Sequence, residues 1–374
     1  MNVVLFVHSL VSDWNHGNAH FLRGIMRELQ AQGHDAVAYE PRGGWSRSHL
    51  LQDHGEVALS RFAATFPALR SIEYDNETLN LDRALDGADV VIAHEWNEPA
   101  LIARLGRHRQ TRGGYVLLFH DTHHRAVTAP AEIGRFELSG YDGVLCFGAV
   151  ICSIYRERGW AARAWTWHEA ADTFLFRPRP EIGRSGDLVW IGNWGDDERG
   201  EELREFLFRP AARLGLRPLI CGVRYPAVAL AEIAAAGGHY GGWLANAMVP
   251  ETFARHRLTV HVPRRPYTEA LPGIPTIRVF EALACGVPLI CAPWSDSERL
   301  FRPGRDYLVA RSGAEMGAMM QAVLTEPALA DSLAASGIET IRTRHTCAHR
   351  VAELLDICAQ CGSHAARTAA APAA

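Results

Sequence analysis

Short apolar runs alternate along this chain with stretches whose apolar residues recur every three or four positions, and that alternation sets the fold class. Residues 3–7 read as a strand. Residues 18–32 place Phe21, Leu22, Ile25, Met26 and Leu29 on one helical face, and residues 36–39 form a second strand entered through Gly33-His34. Further strands are predicted at 90–93, 115–119 and 143–147, with helices at 98–107 and 150–158 between them. The second half repeats the pattern. Strands are expected at 187–191, 218–221, 258–261, 287–290 and 307–309, separated by helices near 198–214, 228–235, 276–284 and 314–324. Such alternation predicts an α/β protein built on parallel, doubly wound sheets. The stretch F-L-F-R-P-R-P at 174–180 cannot continue a helix. It divides the chain into domains expected at 1–172 and 173–361, with the last helix able to pack back on the first. Residues 362–374 are rich in Ala, with Thr and Pro and no apolar periodicity, and are expected to be disordered.

Composition narrows the chemistry. A length of 374 residues suits two domains of ordinary size, and a net charge of −4 without a basic run offers no electrostatic footprint for nucleic acid. All 38 basic residues are Arg; the sequence has no Lys. That excludes a pyridoxal Schiff base, a phosphate-loop lysine and a protein-kinase ion pair. Any phosphate must be held by Arg, backbone N–H groups or helix ends. The eight cysteines run from Cys146 to Cys361, several inside apolar runs, where they read as small buried hydrophobes of a reducing compartment. The N-terminal apolar run stops at His8, too short for a signal peptide, and no run approaches 18 apolar residues. A cytoplasmic protein is expected, with peripheral attachment to a membrane left open.

Ligands bind open α/β sheets beyond the carboxyl ends of their strands, so the loops after strands are the place to look for chemistry. Over residues 275–290 the chain reads P-T-I-R-V-F-E-A-L-A-C-G-V-P-L-I. Here Thr276 can cap a helix that carries Arg278 and Glu281 on one face and ends at Gly286. A helix start favours phosphate, Arg278 adds a cationic fork, and Glu281 can accept from both hydroxyls of a ribose. An intrahelical ion pair of little energy would explain the same two residues.

This segment resembles the donor-nucleotide segment of the two-Rossmann-domain (GT-B) glycosyltransferases, particularly the CgeB-like branch with its R-x-F-E-A-x-A-C-G pattern. D-L-V-W-I-G-N-W-G-D-D-E-R-G from Asp187 resembles the first strand and glycine loop of the family's C-terminal domain. A-D-T-F-L-F-R-P from Ala171 resembles its interdomain linker, and Gly33-His34 its N-terminal G-H. The resemblance implies two Rossmann-like domains facing across a cleft and transfer of a sugar from a nucleoside-diphosphate sugar, with no resident cofactor. It implies ribose on Glu281 and a diphosphate on cations, here Arg224, Arg264, Arg265 or Arg278, near the helix start at Thr276, with Gly192 and Asn193 allowing close backbone approach. Many retaining members carry a glutamate eight residues before the ribose-binding one; this chain has Gly273 there. Retention or inversion stays open.

In the first half, V-L-L-F-H-D-T-H-H ends at His124 and puts His120 and Asp121 at a strand end. His120 matches an active-site histidine of such transferases, suited to hydrogen bonding or proton exchange, and Asp121 stands beside it as a second catalytic candidate. His123 and His124 read as turn residues. Acceptor-side candidates are His16 and Gly17 in the first loop, Glu95, and His168 with Glu169 before the linker. No D-x-D occurs, and the single C-x-x-C at Cys358 lacks a partner pair, so no metal site is expected. The acceptor is a glycan, a lipid or a small molecule. Two other readings use the same residues: a non-catalytic GT-B protein that binds nucleotide or glycan, and a sugar-nucleotide epimerase.

Overall fold

The computed structural model describes residues 1–195 and 198–370. These divide into two compact units, one of Met1–Ser12, Leu22–His168 and Cys347–Ala374, the other of Asp13–Phe21 and Glu169–Thr346.

The first unit carries a seven-stranded sheet. Its strands are β1 (Asn2–Phe6), β2 (Asp35–Pro41), β3 (Arg70–Tyr74), β4 (Val90–His94), β5 (Val116–Asp121), β6 (Gly143–Cys146) and β7 (Ala164–Thr166), in the order β3-β2-β1-β4-β5-β6-β7. Every pairing is parallel. Central strands need apolar residues on both faces, and all five residues of β4 are buried. The second unit repeats this order with β8 (Gly186–Ile191), β9 (Leu219–Cys221), β10 (His239–Gly242), β11 (His256–His261), β12 (Leu289–Cys291) and β13 (Leu308–Val309), arranged β10-β9-β8-β11-β12-β13 and again parallel. Its core joins Leu188, Trp190, Leu258 and Val260 of the sheet to Leu203, Leu207 and Met316 of the helices. In both sheets the strand order reverses beside the first strand, between β1 and β4 and between β8 and β11, and doubly wound sheets take ligands at such a switch point.

The strands β3, β7 and β10 have no counterpart in the sequence reading. Each lies at a sheet edge and is short or polar, so it carries little of the apolar signal that reveals central strands. The helix expected near 198–214 is three pieces, Gly200–Leu203, a π turn at Arg204–Phe208 and Arg209–Arg213. Arg209 N–H reaches Arg204 O, five residues back, one residue before a proline that has no N–H to give. The Ile277–Cys285 helix ends as expected. Gly286 adopts φ 68°, ψ 29° and turns its N–H onto the carbonyls of Ala282 and Leu283. The final helix is Cys347–Ala370; residues 371–374 lie outside the described ones. No described helix is long and apolar enough to cross a membrane.

Candidate functional site

In the first unit, the ends of β4 and β5 gather a buried polar cluster. His94 and His120 are paired neighbours across the two strands, with ring centroids 5.3 Å apart, and His120 also packs edge-on against Trp167 at 4.9 Å. Glu95 lies 3.0 Å from His94 Nε2 and accepts from the Thr122 hydroxyl at 3.2 Å. Asp121 accepts from the Tyr155 hydroxyl at 2.7 Å and from the His123 N–H at 3.1 Å. Arg125 lies over the Trp96 ring and donates to the Glu95 carbonyl at 2.7 Å. The sequence sets Glu95 apart from the adjacent pair His120 and Asp121; pairing of β4 with β5 brings all three into one cluster. His168 Nδ1 bonds the Phe147 carbonyl at 2.9 Å.

Burial sets the protonation states. It pushes the Glu95 carboxyl up to about 7 against the pull of Arg125, and the Asp121 carboxyl up to about 7 with help from the charge of Glu95. Burial pulls His94 down to about 3 and His120 well below its ordinary range, so both rings are neutral at pH 7. Two carboxyls poised near neutrality beside neutral imidazoles can accept and return a proton. The raised Asp121 also has a stability consequence. Stability tied to its protonated form is fully present below the unfolded-state pKa, near 4, and is lost as pH rises through about 7. Asp121→Asn, an isostere whose Oδ1 still accepts from the His123 N–H while its amide N–H donates to the Tyr155 hydroxyl, is therefore expected to gain thermal stability over the wild type progressively from pH 4 to 7. A pH-independent difference in melting temperature would contradict this.

In the second unit, the ends of β8 and β11 gather cations. Arg199, 7% exposed, donates to the carbonyls of Val262, at 3.0 Å, and Asn193, and lies over the Trp190 ring. Its Nε has no hydrogen-bond partner among the described residues. A Cβ built on Gly195 would lie 3.2 Å from Arg264 Nε and 3.3 Å from Arg199 Nε, so two guanidiniums converge on the glycine loop. Burial, then the charge of Arg264, lowers the Arg199 pKa to about 9. Arg199 is still charged at pH 7. His261, at the end of β11, is pulled down to about 3 by burial and then by the charges of Arg199 and Arg278, which therefore both act on this strand end. Glu198, 3.4 Å from Arg264 Nη1, offsets part of the repulsion between Arg199 and Arg264, and a bound anion would offset more.

Most of the expected donor residues surround this point. Arg278 pairs with Glu281 one helical turn on, and Glu281 also takes Asn246 Nδ2 at 3.2 Å and His20 Nδ1 at 2.7 Å. Burial would raise the Glu281 carboxyl, but Arg278 and His20 overrule it and hold it below the usual range. Asn193 Oδ1 accepts from Val223 N–H at 3.0 Å, and the Gly192 carbonyl accepts from the Tyr225 hydroxyl at 2.8 Å. Thr276 corrects an expectation. It stands at the N-cap with no side-chain cap bond, because its hydroxyl meets His261 Nε2 at 3.2 Å instead. Arg265 turns to the Glu198 carbonyl and to Glu202, 3.6 Å away. Arg224 is exposed in the loop after β9 and holds a left-handed φ of 65°. His16 and Gly17 belong to this second unit; Gly17 stands against the Ile277 side chain and His16 is buried nearby in sequence. Glu169 is buried as well.

Two residues escaped the sequence reading. Arg199 sits in an ordinary-looking acidic helix start, D-D-E-R-G-E-E, and only its burial marks it. Glu298 fills the space above Gly273: a Cβ there would lie 2.7 Å from Glu298 Oε1, and Gly273 holds φ 88°. A glutamate eight residues before Glu281 thus has neither the backbone nor the room, and a carboxylate from elsewhere in the chain takes the space.

Residues 201–356 match the family model described as glycosyl transferase-like. No curated protein matches the chain. Among solved structures, an alpha-glucosyltransferase in complex with UDP and a DNA containing an HMU base superposes with TM-score 0.69 at 12% identity, covering 96% of this chain and 99% of its own. The Anabaena protein HepE, in complex with UDP and glucose, gives 0.66 at 12% over 96% and 100%. Sucrose-phosphate synthase from Thermosynechococcus elongatus gives 0.62 at 13% over the whole of both chains. At such identities the likeness carries the fold. Two parallel sheets of this order are the GT-B architecture. With a glycosyl transferase-like segment across its second sheet, the chain is an enzyme of the glycosyltransferase class.

Proposed function

We propose that this enzyme moves a sugar from a nucleoside-diphosphate sugar to a glycan, lipid or small-molecule acceptor, without a metal, as a CgeB-like member of the GT-B transferases in the cytoplasm. One observation carries the reading: Arg199, buried and charged, lies beside Arg264 at the glycine loop with an Nε that has no hydrogen-bond partner among the described residues. Transfer breaks the bond between the anomeric carbon and the diphosphate oxygen. The bonding electrons leave with the diphosphate, and Arg199, Arg264 and Arg278 meet that growing charge with preorganised donors, where other enzymes use a divalent cation. Gly192, Asn193 and Thr276 border the phosphates, Arg224 and Arg265 lie at the rim, and Glu281 takes the ribose. His120 and Asp121 act at the reacting sugar or acceptor, and Glu95, His168, Glu169, His16 and Gly17 serve the acceptor. Asp121, poised near pH 7, suits removal of the acceptor's proton.

Thermal stabilisation by UDP, GDP, TDP, CDP and NAD tests the reading, because a ligand that binds only the folded state raises the melting temperature by mass action. One diphosphate is expected to stand out, and UDP heads the panel because HepE and the alpha-glucosyltransferase were solved with it. A shift with NAD alone, or with nothing, would sink it. Turnover of the matching nucleotide sugar then separates a transferase from a binding protein, and the product from an epimerase.

A further inference from the structure

Glu281 already accepts three hydrogen bonds. Its Oε1 takes His20 Nδ1 and Asn246 Nδ2, and its Oε2 takes Arg278. A carboxylate offers about four lone-pair positions, so one is left for a ribose that brings two adjacent hydroxyl donors. One present donor has to leave. Arg278 carries a charge and is tied to the same helix, and Asn246 is 1% exposed at the start of a short helix of its own. His20 comes from the separate stretch Asp13–Phe21, which packs as part of this unit.

That stretch lies along the donor residues at three points. Asn15 accepts from Asn193 Nδ2 at 2.6 Å, beside the glycine loop. Gly17 approaches the first residue of the Ile277–Cys285 helix, a Cβ at Gly17 lying 3.6 Å from Ile277 Cγ2. His20 closes on Glu281. Asp13 fastens the start of the stretch by accepting from Trp243 Nε1 at 3.1 Å and Asn246 N–H at 3.0 Å. Asn15 holds φ 49°, a left-handed conformation that a non-glycine residue adopts at a cost. Loop, helix start and carboxylate are the three places a nucleoside diphosphate would use.

We propose that residues 13–21 are a built-in occupant of the donor site, and that a nucleoside diphosphate enters by displacing His20 from Glu281. The proposal rests on the assignment of ribose to Glu281 made above. Before binding, His20 fills a position on the buried carboxylate that Asn246 and Arg278 leave open; on binding, the ribose hydroxyls replace it and the stretch is released. His20 then sets donor affinity by competing for the site.

Calorimetric titration of UDP, GDP, TDP and CDP into the full chain, as wild type, His20→Ala, His20→Gln and Glu281→Gln, tests it, with amide exchange of residues 13–21 measured alongside. His20→Ala is expected to bind the preferred diphosphate about tenfold more tightly, the worth of one hydrogen bond to a charged group. His20→Gln, which keeps an N–H for Oε1, should stay within about threefold of the wild type. Exchange in 13–21 of the wild type should quicken on binding, a readout independent of how the variants fold. A His20→Ala affinity as weak as that of Glu281→Gln, or slower exchange on binding, overturns the proposal while leaving the ribose assignment standing. Equal binding by wild type and Glu281→Gln removes the assignment, and the proposal with it.

Discussion

Arg199→Met is expected to lower affinity for the nucleoside diphosphate by about 100-fold or more while changing the stability of the ligand-free protein little. The two effects separate because the guanidinium does two opposed things. Burial and the charge of Arg264 outweigh the pull of Glu198, so it costs folding energy, as the fall of its pKa to about 9 records. Its bonds to Val262 O and Asn193 O return part of that cost, and methionine fills a similar volume without the charge. A diphosphate, by contrast, would lose charge-assisted hydrogen bonds worth roughly 1.5–3 kcal/mol each. Melting curves with and without the diphosphate measure both. A variant that unfolds many degrees early yet binds normally would make Arg199 a structural residue and remove the principal support for the donor site.

Glu281→Gln should damage both properties. The carboxylate is 1% exposed and balances Arg278, so neutralising it strands a partly buried guanidinium, at a cost of about 3 kcal/mol. The pH dependence follows with it. A carboxyl held below its unfolded-state pKa contributes stability that is present above that pKa and lost as pH falls through the folded value, so the wild type's advantage over Glu281→Gln should shrink in acid. Nucleotide binding should fall at least about 100-fold, since two hydroxyl donors lose a charged acceptor. Turnover should fall with it. An advantage that persists unchanged to low pH would show that Arg278 and His20 do not hold the charge of this carboxylate.

The architecture was legible along the chain because central parallel strands and the helices covering them need apolar residues at fixed periods. The runs around Val4, Val91, Leu118, Val189 and Val260 mark the middle of both sheets. The edge strands β3, β7 and β10 escaped because they are short or partly exposed and carry little apolar signal. Arg278 and Glu281 were legible as a pair because a helix puts i and i+3 on one face, whatever surrounds it. The tertiary structure alone decided what those residues meet. Sheet pairing makes one cluster of Glu95, His120 and Asp121, and desolvation there moves two carboxyls to neutrality, an effect of surroundings that no local spacing encodes. Burial likewise turns Arg199 from one arginine among 38 basic residues into a charge that a bound anion would stabilise. The bond from His20 to Glu281 spans 261 residues of chain. Local pattern determines which elements form; only packing decides which distant side chains share a dry site, because electrostatic energy depends on what water is excluded.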